Sequence, residues 1–113
     1  MGKYLLVNAD DFGMCKSANE AIFDLFESGR LKSSTIMMPC PAAKDAVDFS
    51  IAHPEYAIGV HLTTTAEWET YRWKALTNGP SLHDAEGYMW HTGEDADKFG
   101  KMDEIEKEII GNQ

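Results

Sequence analysis

The chain has 113 residues, 43% of them hydrophobic and 26% charged, the length and make-up of one globular domain. Its formal net charge of -9 argues against a nucleic-acid backbone or an anionic membrane surface as partner, since both require clustered Lys and Arg, and is easier to reconcile with a neutral or cationic ligand. No apolar run reaches the ~20 residues of a membrane span, no basic segment precedes an apolar signal core, and Cys15 and Cys40 lack metal-type spacing, so a soluble cytoplasmic protein with reduced thiols is expected.

The first predicted element is Tyr4-Leu5-Leu6-Val7, apolar without alternation, which reads as a strand buried on both faces in a parallel sheet. It runs into Asp10 and Asp11, two carboxylates placed where the sheet is expected to stop, and Gly13 permits the bend that would let them converge. Ser17 and Glu20 form an S-x-x-E capping box, followed by Ala18, Ala21, Ile22, Leu25 and Phe26 at helical spacing and by Gly29 as terminator. Leu31 to Met38 reads as a second strand broken by Pro39. Residues 42 to 52 repeat the helical pattern through Ala43, Ala46, Val47 and Ile51 until His53-Pro54 stops it. Ala57 to Leu62 makes a third strand, so the first half is βαβαβ with parallel pairing.

From Thr63 to about Gly100 the chain reads as a long loop in which Gly79-Pro80, Gly87, Gly93 and Gly100 are scattered among Trp68, Tyr71, Trp73, Tyr88 and Trp90. Such a segment is either a lid or binding loop, whose rings stack on sugar faces, or a satellite cluster packed under its own turns. Residues 102 to 110 begin a further helix.

His61 ends the third strand much as the acid pair ends the first. In a parallel sheet all carboxyl ends open on one side, where α/β folds place their sites, so Asp10, Asp11 and His61 are expected to meet there. Alone, His61 would read as a hydrogen-bonded core or turn histidine; opposite two carboxylates it reads as a ligand. His53, His83 and His91 read as solvated surface residues.

Asn8-Ala9-Asp10-Asp11-Phe12-Gly13, Ser33-Ser34-Thr35-Ile36-Met37-Met38-Pro39, Gly59-Val60-His61-Leu62-Thr63 and Ser81-Leu82-His83-Asp84-Ala85-Glu86-Gly87-Tyr88 together resemble the YdjC family of carbohydrate deacetylases. The resemblance implies an α/β, (β/α) barrel-like fold related to polysaccharide deacetylases and hydrolysis of N-acetyl groups from amino sugars or chitooligosaccharides. It further implies a divalent metal ion, Mg2+ or Zn2+, with Asp11 and His61 as ligands and Asp10 as general base. Trp68, Tyr71, Arg72 and Trp73 follow His61 closely enough to be expected as substrate-binding residues, the rings on sugar and Arg72 on hydroxyl or carbonyl oxygens.

Family members run longer and supply a further histidine ligand beyond the matched region. Residues 1–113 are therefore expected to be the N-terminal part of a single deacetylase domain, poorly active alone, with an unpaired sheet edge that favours homo-oligomers. Two readings compete with the deacetylase. A receiver-like magnesium-binding signalling module also has an acidic pair after its first strand, but it needs an Asp where His61 stands. A sugar-binding protein would keep the scaffold without the chemistry.

Overall fold

The computed structural model describes residues 2–113 and divides into two compact units, one running up to His61 and the other Leu62–Gln113. The first contains β1 (Asn8–Phe12), α1 (Lys16–Glu27), β2 (Ser33–Ile36), α2 (Ala43–Ala52) and β3 (Ala57–Val60). The strands pair in the order β1-β2-β3, all parallel, giving the βαβαβ arrangement that the alternation of patterns predicts. Each parallel step returns through a helix, and crossovers of one hand place both helices on the same face of the sheet.

Between that face and the helices lies the core: Phe12, Ile22, Phe26, Leu31, Ile36, Ala43 and Ala46. Phe12 has no exposed surface, and burying a side chain of that size contributes about 2–3 kcal/mol. Its ring meets Phe23 and Phe49 edge-on at centroid distances of 5.6 and 6.0 Å, while Phe23 stacks on Phe49 at 4.3 Å. Small Ala43 and Ala46 on α2 let that helix approach β2 closely.

Three expectations are corrected here. Residues 4–7 are outside β1 and exposed, Tyr4 at 97% and Leu5 at 87%. Pairing along β1 begins only at Asn8 with Ser33, because β2 itself starts there, and the one earlier link is Lys32 N–H donating to the Val7 carbonyl. An apolar run signals a preference for burial without saying what would cover it. Nor does Ser17 cap α1: the N-cap is Cys15, and the Ser17 hydroxyl meets the Cys15 thiol at 3.3 Å inside the first turn. The S-x-x-E signature sits two residues too late because the tight turn at Gly13 delivers the chain into the helix early. Finally, β1 does not stop at the acid pair but continues to Phe12, which pairs with Ile36.

In the second unit, residues 63–92 form turns fastened to one another, with a single antiparallel bridge between His83 and Met89 outside the named strands. Two helices follow, α3 (Gly93–Phe99) and α4 (Met102–Asn112). The sequence reading leaves α3 inside the loop, although Thr92 and Asp95 carry its start signal: the Thr92 hydroxyl accepts from Asp95 N–H at 3.1 Å. Ala66, Trp73, Leu82 and Met89 are the buried apolar residues under these turns.

Glu108 on α4 has no exposed surface, yet its carboxylate is fully engaged, accepting from Leu76 N–H at 2.8 Å and from Thr77 N–H and hydroxyl at 2.8 and 2.6 Å. Glu104, one turn earlier, accepts from Ser81 N–H and hydroxyl, both at 2.8 Å. Ser81 N–H and the Ser81 hydroxyl, followed by Lys101 and Lys107, hold the Glu104 carboxyl below its usual range. Two carboxylates on one helix thus hold loop backbone that has no ladder of its own. Glu108→Ala leaves three donors unsatisfied, and should lower unfolding free energy by on the order of 3 kcal/mol in urea denaturation.

Candidate functional site

The site residues owe their direction to an irregularity in β1. Ala9 pairs with Ser34 and Phe12 with Ile36, so three steps along β1 match two along β2. One extra residue is inserted, and Asp11 takes it up with a left-handed backbone, φ 61°. Strict alternation would send Ala9 and Phe12 to opposite faces; with the bulge both pack into the core. Asp10 and Asp11 are thereby both kept out of it.

The opposite face of the sheet is polar. Ser33 hydroxyl donates to Asn8 Oδ1 at 2.6 Å, Asn8 Nδ2 donates to Asp10 Oδ1 at 2.6 Å, and Thr35 hydroxyl reaches the same oxygen at 3.3 Å. Gly59, opposite Thr35 in the register, belongs to this face, and so by alternation does His61, whose N–H bonds to the Ile36 carbonyl just beyond β3. His61 Nε2 lies 3.5 Å from Asp11 Oδ1. The ends of β1 and β3 therefore do bring a carboxylate and an imidazole together, across β2.

Two donors each about 2.1 Å from a tetrahedral ion stand roughly 3.4 Å apart, so the Asp11–His61 separation suits two ligands of one divalent cation. Among the described residues no group of three His, Cys, Asp or Glu side chains is gathered to hold a metal ion. The fit is that of a partial donor set.

A residue that the sequence reading passes over locks the turn behind Asp11. Asn19 on α1 is 1% exposed; its Oδ1 accepts from Gly13 N–H at 2.7 Å and its Nδ2 donates to the Ala42 carbonyl at 3.0 Å. Ala42 N–H returns to the Gly13 carbonyl at 3.1 Å, closing a ring of three hydrogen bonds. Gly13 has φ +90° and a Cβ there would come within 2.9 Å of Ala43 Cα, so no other residue fits. A signal for Asn19 existed: with Ile22 and Phe26 it shares the buried i, i+3, i+7 stripe of α1, where a polar side chain is out of place.

Of the four residues expected to bind substrate, two have exposed side chains, Trp68 at 56% and Tyr71 at 39%, the Tyr71 ring lying edge-on to Trp73 at 6.4 Å. Trp73 is 4% exposed and donates its Nε1–H to the Thr65 carbonyl at 2.8 Å. Arg72 is engaged internally: its guanidinium meets Asp84 at 2.7 Å and the Met89 carbonyl at 2.7 Å and lies 5.1 Å from the Tyr88 ring centroid. Burial works against ionisation of Asp84, but the Arg72 hydrogen bond and the Tyr88 and Glu86 N–H groups outweigh it and hold its carboxyl below the usual range. A stacking ring needs a bare face, which the packing of this unit denies Trp73, while Arg72 has its two terminal nitrogens engaged and its Nε without a hydrogen-bond partner among the described residues.

A family model described as "YdjC-like protein" matches residues 4–111. The chain is 35% identical over 109 residues to a carbohydrate deacetylase of Geobacillus stearothermophilus, covering 96% of this chain and 42% of that protein. It is 35% identical over 113 residues to a chitooligosaccharide deacetylase of Yersinia enterocolitica, again at 96% and 42% coverage. A crystal structure of a protein assigned to cellobiose-phosphate cleavage, from Enterococcus faecalis, superposes with a TM-score of 0.80 at 30% identity, over 95% of this chain and 41% of that one. The chain thus spans less than half the length of these relatives.

Two outcomes check the geometry. A left-handed backbone costs a non-glycine residue about 1–2 kcal/mol, so Asp11→Gly should leave thermal stability unchanged or raise it, while Asp11→Ala should lower it by about 1 kcal/mol. The thiols should also separate. Burial, reinforced by the charges of Asp11 and Cys15, pushes Cys40 up to about 12, whereas the Ser17 hydroxyl and the Ala18 backbone lower Cys15. Since the thiolate is the nucleophile, iodoacetamide at pH 8 should modify Cys15 in the folded chain and reach Cys40 only after unfolding, as read by peptide mass spectrometry.

Proposed function

Since the chain belongs to the YdjC-like protein family, we propose that it carries the N-terminal share of a carbohydrate deacetylase site, in which Asp11 and His61 hold a divalent cation and Asp10 is the base. The convergence of Asp11 Oδ1 and His61 Nε2 at 3.5 Å on the polar face of the sheet is the observation that carries this reading. Residues 1–113 then form part of a single (β/α) barrel-like domain whose remaining strands and third ligand come from further chain. The 42% coverage of the deacetylase relatives supports that extent.

The reaction is hydrolysis of an amide C–N bond: water adds to the acetamide carbonyl of an N-acetylated amino sugar, the C–N bond breaks, and acetate and a free amine leave. A bound divalent ion supplies polarisation of the carbonyl and acidification of the water. An imidazole with a carboxylate suits Zn2+ better than Mg2+, which prefers oxygen donors.

Asp10 accepts the proton that the attacking water gives up. The hydrogen bonds from Asn8 and Thr35 both fall on Oδ1, so Oδ2 is the oxygen through which it acts on this reading. Trp68 and Tyr71 supply the ring faces for the sugar, and the acidic surface suits a neutral substrate. Arg72 and Trp73 contribute by shaping the turns that carry those rings.

The test is acetate release from N-acetylglucosamine oligomers with and without added Zn2+, by this chain and by the gene product extended to the length of the relatives. Metal-dependent release that falls at least about 100-fold in Asp11→Ala, His61→Ala and Asp10→Asn is expected, with the extended form the more active. Sugar binding without acetate release in both forms would replace the enzyme reading with that of a binding protein.

A further inference from the structure

We infer that Asn19 is a positioning residue for the site, holding Asp11 in ligand geometry through the ring of hydrogen bonds that ties the β1–α1 turn to the loop leading into α2. The inference rests on the proposed role of Asp11, but its geometric part stands without it.

Asp11 is two residues before Gly13, and its carbonyl accepts from Met14 N–H at 3.1 Å, so the backbone from Asp11 to Met14 is one tight turn. Nothing in the residue type of Asp11 favours φ 61° strongly enough to hold it there; the conformation persists only where its surroundings impose it. Asn19 imposes it from one side, because its carboxamide accepts and donates at once in a fixed plane. Its acceptor takes the Gly13 N–H and its donor takes the Ala42 carbonyl, and Ala42 and Gly13 then satisfy each other. The β1–α1 turn is in this way tied to the loop that leads into α2, while Met37 N–H holds the Phe12 carbonyl at 2.8 Å. Beyond Ile36, whose carbonyl receives His61 N–H at 2.9 Å, the same stretch of backbone also holds the histidine. Asn19 therefore acts on the Asp11–His61 pair without touching either residue, as a group that orients ligands of a metal does.

A merely structural Asn would affect stability alone, and the comparison needed is with a core residue of the same helix face. Ile22→Ala removes buried apolar surface from α1 and should lower stability while leaving Zn2+ affinity of the folded chain within twofold of the parent. Asn19→Ala should weaken Zn2+ binding, measured by titration calorimetry with Zn2+ alone, about tenfold or more. It should also accelerate hydrogen exchange at the Gly13 amide and displace the His61 ring signals in NMR spectra at fixed pH. Should Asn19→Ala not fold, Asn19→Asp decides: it keeps the volume and the acceptor for Gly13, removes the donor to Ala42, and should still weaken Zn2+ binding. Parent-like Zn2+ affinity and His61 signals in the folded Asn19 variant would overturn the inference. If the parent itself binds no Zn2+, the metal reading falls, and the Gly13 exchange and His61 signals alone decide the positioning role: displaced, it stands; unchanged, it fails.

Discussion

One inserted residue in β1 sets the character of the first unit. A strand has two faces and a period of two, so a sequence that must send Ala9 and Phe12 into one core cannot also present Asp10 and Asp11 together unless the period is broken between them. The break falls on Asp11, whose left-handed backbone carries the extra length. Core and polar face are satisfied by the same device. Phe12 anchors the aromatic cluster because the bulge turns it inward, and Asp11 meets His61 because the bulge turns it out. Asn19 and Gly13 close the turn directly behind it.

The second unit solves another problem. Turns without a sheet ladder still carry N–H and C=O groups that must be paired once covered. Here the partners are charged side chains: Glu104 and Glu108 receive loop N–H groups, and Arg72 joins Asp84 to the Met89 carbonyl beneath the Tyr88 ring. Bonds to charged groups are stronger than neutral ones, which lets a loop of this length hold one conformation. Trp68 and Tyr71 keep more exposed side chains, the Tyr71 ring lying edge-on to Trp73.

Much of this was legible along the chain. Helical spacing located α1, α2 and α4, short apolar runs bounded by Pro and Gly located β2 and β3, and their alternation implied parallel pairing. Asp11 and His61 stood out as ligand types at the ends of alternate strands, and parallel topology alone was enough to bring them to one edge. Misreadings had a common cause. Tyr4 to Val7, Ser17 and Trp73 each carry a local signal, for burial, for capping and for stacking, that their surroundings overrule.

Local sequence determined α1, α2, α4, β2 and β3, their order, and the kinds of chemistry available at strand ends, because these follow from periodicity and residue type within a few positions. Tertiary structure alone decided the bulge at Asp11, the burial of Asn19 against Gly13 and Ala42, and which aromatic rings remain open. Each of those depends on a partner outside its own segment: β2 counts the residues of β1, Ala42 completes the bond that Asn19 begins, and the Thr65 carbonyl accepts from Trp73 Nε1–H. Hydrogen-bond satisfaction and strand register are relations between distant segments, and a sequence states the groups without stating the pairs.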